Sequence, residues 1–203
     1  MRHLRAYSLL VLFCFALQAE EAPSPLTLHR RFRVYLEDTY SPLTLAGSGF
    51  SAAISHWSDE PPEWQQRAPG FARRYGSWFG QAAIKDTIEF GVAALDGEYP
   101  RYCASKRKGI WARSYDAMAQ TIFPYKAKGG RMFAVSGVLG SFSSGLISNA
   151  WYPDSGNNWR DGLVRGAGLF GGDVASNLFH EFWPDIKSKV FRRKATAQPK
   201  GGT

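Results

Sequence analysis

Residues 132–183 have the sequence MFAVSGVLGSFSSGLISNAWYPDSGNNWRDGLVRGAGLFGGDVASNLFHEFW, in which small residues recur at every fourth position. Because residues four apart share one side of a helix, this spacing predicts two helices, over about 132–152 and 159–183. Their small-residue rows are Gly137, Ser141 and Gly145; Gly162 and Gly166; and Gly168, Gly172 and Ser176. Each interior glycine costs about 1 kcal/mol relative to alanine, so both helices require close packing against another element.

The packing partner of these two helices is open to more than one interpretation. Residues 132–152 carry no charge and have about the length of a bilayer span, which favours a membrane-embedded helical hairpin over 132–183. Serines make the first helix only mildly apolar, and Arg165 and Asp173 interrupt the second, which favours a helix pair buried in a folded domain. We expect the buried pair, keep the membrane hairpin as the alternative, and include a homo-oligomer among the packing partners.

The remaining sequence predicts a mainly helical, all-α domain of about five helices. Helical periodicity and the positions of proline and glycine place the other three helices at about 42–58, 69–95 and 110–123. Residues 20–40 combine two prolines with a short apolar–polar alternation, which predicts an extended lead-in. The helical domain is therefore expected over 41–191, followed by a basic, disordered tail over 192–203.

The first 19 residues have the pattern of a cleavable signal peptide. Arg2 and Arg5 precede an uncharged apolar run over 6–17, and Ala19 suits the position before the cleavage point. The apolar run is too short for a bilayer span, which needs about 20 residues. We therefore expect a protein exported to the periplasm or cell envelope, with Cys103 as the cysteine that remains after cleavage.

A basic and aromatic segment is the strongest candidate for a binding surface. The net charge is +8, and it stays positive when Arg2 and Arg5 leave with the signal peptide. Export argues against nucleic acid as the partner and favours anionic lipid or cell-wall polymer. The candidate binding residues are Arg101, Tyr102, Lys106, Arg107, Lys108 and Trp111. An exposed loop whose aromatic rings point into the core would have the same composition, so both interpretations stay open.

The chemistry-bearing residues do not form a known catalytic or metal-binding motif. Asp173, His180 and Glu181 lie on one predicted helix and are weak candidates for a metal site or a general base. His180 lacks a second histidine four residues away, so the metalloprotease pattern is not met. Ser55, His56 and Asp59 allow a hydrolase triad to be drawn, but no nucleophile-elbow motif accompanies them. We expect no cofactor and no metal, and a protein that is more readily explained without enzymatic activity.

The chain contains four short motifs: Pro62-Glu63-Trp64, Pro100-Arg101-Tyr102, residues 145–149 with Tyr152-Pro153, and residues 181–186. They resemble motifs of an uncharacterised family of small exported bacterial proteins with no established activity. The resemblance implies export and a helical fold and adds no site. The expected function is therefore that of an envelope-associated protein that binds anionic envelope components or partner helices, with a hydrolase or metal-dependent enzyme around His180 as the rival.

Overall fold

The computed structural model describes the backbone of residues 26–196 and the side chains of residues 26–189. The predicted signal peptide, residues 1–19, and the final residues 197–203 lie outside the described residues. Within the described part, the fold is all-α, as predicted, and no strand longer than an isolated bridge is present. The helices are α1 (Leu28–Thr39), α2 (Pro42–Trp57), α3 (Ala68–Asp96), α4 (Ile110–Ile122), α5 (Val135–Ile147) and α6 (Trp159–Thr196), with short 3-10 turns at Pro62–Trp64, Ser148–Ala150 and Asp154–Gly156.

The prediction of an extended lead-in over 20–40 is wrong for its second half, which forms α1. Thr27 caps the helix, since its hydroxyl accepts a hydrogen bond from the backbone N–H of Arg30. The buried guanidinium of Arg31 then donates to the carbonyl oxygens of Ala93 and Glu98, at 2.9 and 2.8 Å. These contacts with the end of α3, remote in sequence, stabilise a helix that the local alternation of apolar and polar residues did not indicate.

The prediction of a disordered basic tail over 192–203 also needs correction. Helix α6 continues through Pro184 and includes residues 192–196. Basic side chains near the C-terminus of a helix interact favourably with its dipole, so a basic composition is compatible with a continued helix. At the other end of α6, the side chain of Asn158 accepts hydrogen bonds from the backbone N–H groups of Arg160 and Asp161. The turn at 154–158 therefore caps the long helix.

The centre of the fold is the packing of α3, α5 and α6. Helix α5 lies against both long helices, α1 and α2 pack on α3, and α4 packs on α6. The approach of α5 to α6 is closest at Gly145, where a Cβ atom would lie 2.5 Å from the backbone nitrogen of Gly166. A Cβ atom on Gly166 would in turn lie 2.8 Å from the Cα atom of Phe142. The backbones therefore touch at this crossing, which only residues without a side chain permit.

The small-residue rows do not all pack in the predicted way. The rows of Gly145 and of Gly162 with Gly166 meet each other at the crossing of α5 and α6. The row of Gly168 and Gly172 does not: a Cβ on Gly168 would make ordinary contact with Trp78 at 3.9 Å, and none would reach an atom within 4 Å at Gly172. Gly137 also makes only ordinary contacts, while Ser141 is fully buried. Sequence spacing thus identifies rows of small residues but not which row faces another helix.

The interior of the protein is unusually polar, and its outer helix faces are apolar. The described residues that are buried include Arg74, Gln81, Lys85, Asp116 and Glu181, whereas the buried apolar residues are mostly alanines. Large apolar side chains lie outside, as along α1 and the residue that follows it, where Leu28, Phe32, Leu36 and Tyr40 are spaced four residues apart and are exposed. A protein with this distribution presents much apolar surface to its surroundings, which is typical of proteins that bind a membrane surface or another protein.

We expect Gly145→Ala to destabilise the fold and Gly172→Ala to leave it intact or stabilise it slightly. The added methyl group overpacks the α5–α6 crossing in the first variant, at a cost of about 1–3 kcal/mol. In the second variant it enters open space, where alanine improves helix propensity by about 1 kcal/mol. Urea unfolding followed by circular dichroism measures both changes, and equal midpoints for the two variants would contradict the assigned crossing.

Candidate functional site

The buried carboxylate of Glu181 on α6 fixes the segment that precedes α4. Glu181 is only 2% exposed. It accepts hydrogen bonds from the Tyr102 hydroxyl at 2.7 Å, from the Ser105 backbone N–H at 2.9 Å and from the Arg113 Nε at 2.5 Å. Burial, and then the hydrogen bond to Glu181, raise the pKa of Tyr102, so its hydroxyl stays protonated as a donor. One carboxylate therefore ties residues 102–105 and the first turn of α4 to the same helix.

A second set of contacts holds this segment against the inner face of α4. The side-chain amide of Gln120 donates to the Cys103 carbonyl oxygen at 2.8 Å and accepts from the Cys103 N–H at 3.1 Å. Deeper in the same face, Asp116 pairs with Arg131 at 2.6 Å. The polar side of α4 is thus turned inward, where each of these groups finds a partner.

The chain between these anchors presents cations and apolar side chains to the surroundings. Lys106, Arg107 and Lys108 are exposed. Ile110 and Trp111, which follow them at the start of α4, are 69% and 88% exposed. Because the flanking residues are fixed by Glu181 and Gln120, the apolar pair is displayed on an ordered segment.

The outer face of α4 continues this apolar surface along the whole helix. Trp111, Tyr115, Met118 and Ile122 follow at spacings of four, three and four residues and are all exposed. Lys126 and Lys128, beyond the C-terminal end of α4, are exposed as well. We call these residues, together with Lys106, Arg107, Lys108 and Ile110, the α4 surface: an apolar stripe with basic residues at both ends.

The structure separates the predicted binding residues into two groups. Lys106, Arg107, Lys108 and Trp111 belong to the α4 surface, and Arg101 is exposed but forms an ion pair with Glu37 at 2.6 Å. Tyr102 is partly buried, with its hydroxyl on Glu181, so it positions the segment and does not face outward. Sequence reasoning missed Tyr115, Met118 and Ile122, although their helical spacing was present, because apolar residues on a helix are normally expected to face the core.

The weak catalytic candidates on α6 do not come together. Asp173 pairs with Lys85 of α3 at 2.9 Å, whereas Glu181 accepts a hydrogen bond from the backbone of Ser105 in the segment before α4. The His180 ring lies beside Phe179, and partial desolvation of the ring lowers its pKa. Among the residues the structure describes, no group of three or more histidine, cysteine, aspartate or glutamate side chains is arranged to hold a metal ion.

The residues of the alternative triad take part in structural contacts. Ser55 accepts a hydrogen bond from the Trp78 indole N–H at 3.0 Å, and the His56 ring lies 3.3 Å from the Arg74 guanidinium. Arg74 is fully buried and also binds Asp59 and the carbonyl oxygens of Glu60, Pro61 and Gln65. The cluster therefore fixes the loop between α2 and α3, with no serine–histidine–aspartate relay.

A buried ionic cluster joins α3 to α6 beneath α5. The Lys85 ammonium group lies 2.8 Å from Glu89, 2.9 Å from Asp173 and 3.5 Å from Asp86. Burial raises the pKa of Glu89 to about 8 and also raises the pKa of Asp173. With one cation among three carboxylates, the raised pKa of Glu89 means that the cluster retains a proton at neutral pH, which reduces the buried negative charge.

None of the helices in the described part of the chain combines the length and apolar character needed to cross a membrane. Comparison with known proteins gives no match, since no family model, no curated protein and no solved structure matches this chain. The resemblance to exported bacterial proteins stays an expectation.

We expect the stability of the protein to fall as the pH rises toward 8, and Glu89→Gln to reduce this dependence. The pKa of Glu89 is about 8 in the folded state and near 4.5 when exposed, so the folded state binds the extra proton between these values. Raising the pH through that window removes the proton and its stabilisation, whereas glutamine stays neutral throughout. Urea midpoints measured from pH 5 to 9 test this, and parallel pH profiles for the two proteins would contradict it.

Proposed function

We propose that this protein is an exported, envelope-associated, non-enzymatic protein that binds anionic lipid surfaces through the α4 surface. The observation that carries the proposal is the exposure of Trp111, at 88%, three residues after the basic run at 106–108 on a segment anchored to α6. The predicted signal peptide supports the envelope as the place of action, because it would direct the chain to the periplasmic side. The anchoring by Glu181 favours a dedicated contact surface over an incidental loop.

The composition of the α4 surface matches the chemistry of a lipid interface. Indole and phenol rings favour the boundary between headgroups and acyl chains, and basic residues beside them meet lipid phosphates. Helix α4 has 13 residues and is therefore about 20 Å long, so its two basic ends can contact separate headgroups while its stripe lies in the membrane plane. This geometry requires no helix to span the bilayer.

The energies are sufficient for reversible binding. Each basic residue near an anionic leaflet contributes about 1 kcal/mol, so Arg107, Lys108, Lys126 and Lys128 together give about 4 kcal/mol, equivalent to a Kd of about 1 mM. Burial of Ile110 and Trp111 adds about 2 kcal/mol each, which brings the Kd to the micromolar range. Neither contribution suffices alone, and the electrostatic part is expected to weaken with salt.

The rival enzyme around His180 has less support. A general base or a metal site needs its groups to converge, and Asp173 and Glu181 are both engaged with cations on other elements. A partner helix could also cover the apolar stripe of α4, but the basic residues at both of its ends favour an anionic surface.

We expect the processed protein to bind vesicles of phosphatidylglycerol with phosphatidylcholine and to bind pure phosphatidylcholine vesicles much more weakly. Arg107→Gln with Lys108→Gln should weaken binding to the anionic vesicles about 30-fold and flatten its salt dependence. Ile110→Ser with Trp111→Ser should weaken binding at least tenfold at every salt concentration. Vesicle co-sedimentation measures all of these affinities, and mass spectrometry of the purified protein establishes whether residues 1–19 have been removed.

The matched control is Trp57→Ser, which removes an indole that is 90% exposed on α2, outside the α4 surface. This variant should bind as the parent does. Equal losses for Trp57→Ser and for the Ile110 and Trp111 variant would mean general apolar adhesion and would refute the α4 surface. Equal binding to charged and neutral vesicles would refute an anionic partner.

A further inference from the structure

A second feature is an open groove of about 640 Å³ along α3. Its floor is formed by Gly76 and Gly80, which lie one helical turn apart. A Cβ atom added at either glycine would find nothing within 4 Å, so the floor is open space and not a helix crossing. Trp64 and Trp151 add apolar lining, and along α3 the lining runs from Arg73 at one end to Ile84 at the other.

The walls of this groove are held in place by contacts with their surroundings. The indole N–H of Trp151 donates to the Ser77 hydroxyl at 2.9 Å, which fixes one wall to α3. The ring of Trp64 lies 5.0 Å from that of Tyr152, and the neighbouring carbonyl of Gln65 accepts a hydrogen bond from the buried Arg74 at 2.7 Å. The groove is therefore formed before anything binds, as is usual for small-molecule sites.

The shape of the groove selects a narrow, flexible ligand. From Arg73 to Ile84 the groove follows eleven residues of α3, or about 16 Å, which is comparable to an extended acyl chain of medium length. Divided by that length, the groove volume gives a mean cross-section of about 40 Å², which is about half that of an α-helix about 10 Å wide, so the groove suits a single chain. Its volume lies within the range of about 300–1,000 Å³ that is typical of small-ligand sites.

The charge at the end of the groove defines the head of the ligand. Arg73 is exposed, and within residues 26–189 it forms no ion pair with a carboxylate. A guanidinium group in this position binds a carboxylate or phosphate with paired hydrogen bonds. We propose that the α3 groove binds a single-chain anionic amphiphile, such as a free fatty acid, with its tail over Gly76 and Gly80 and its head on Arg73. This site lies on α3 and does not depend on the α4 surface.

The test uses laurate, below its micellar concentration, and isothermal titration of the processed protein. Gly76→Leu and Gly80→Leu fill the floor and should each weaken laurate binding at least tenfold. Because a Cβ atom added at either position would find nothing within 4 Å, and because leucine favours helix more than glycine does, both variants should retain the parent's unfolding midpoint. The matched control is Gly172→Leu, at an open position on α6, which should bind laurate as the parent does.

The role of the head group is tested with dodecyltrimethylammonium, which has a tail of similar length and the opposite charge. The parent should prefer laurate about tenfold or more, and Arg73→Gln should abolish that preference. Because Arg73 is exposed, the Arg73→Gln variant should fold and should test the proposal even if a leucine variant does not fold.

Three results would overturn the proposal: no laurate binding by the parent, equal loss in Gly172→Leu, or an unchanged preference in Arg73→Gln. A last experiment measures binding of the Gly80→Leu variant to phosphatidylglycerol vesicles. If Gly80→Leu weakened vesicle binding while leaving laurate binding intact, the occupant would be bilayer lipid and the free amphiphile would be rejected.

Discussion

The buried ammonium group of Lys85 is the interaction on which the arrangement of the long helices depends. It joins Glu89 on its own helix to Asp173 on α6, and Gly140 of α5 is pressed onto the same place, where a Cβ atom would lie 2.6 Å from the Glu89 side chain. Removing one partner of a buried ion pair leaves an uncompensated charge and typically costs about 3–5 kcal/mol. The three helices therefore have one favourable register, and that register brings Gly145 against Gly162 and Gly166.

Helices α2, α3 and α4 could be predicted from the sequence to within one or two residues, because periodicity, capping residues and proline positions are local signals. Helix α6, in contrast, continues past its predicted end at 183 to Thr196. Helix α1 was missed because its stability comes from Arg31 reaching carbonyl groups more than sixty positions away. The same limit applies to the site. The basic residues and Trp111 were visible, but the link from Tyr102 to Glu181 spans 79 positions and leaves no trace in local spacing.

The orientation of the helix faces is the other part that sequence reasoning could not supply. Periodicity shows that α4 has an apolar and a polar side, and the usual assumption places the apolar side inward. In this protein the polar side is inside, because Asp116 finds Arg131 and Gln120 finds the Cys103 backbone. The same inversion on α1 and α2 leaves Phe32 and Phe50 exposed. Internal polar pairing thus frees the apolar faces for contacts outside the molecule.

Helix α6 carries two of the carboxylates that matter most, Asp173 in the ionic cluster and Glu181 beneath the α4 surface. They are eight residues apart on one continuous helix, or about 12 Å along its axis. A shift of α6 by a single residue would move both carboxylates by about 1.5 Å and rotate both away from their partners together. Because one continuous helix carries both carboxylates, the geometry of the buried ionic cluster and the position of the α4 surface cannot change independently of each other.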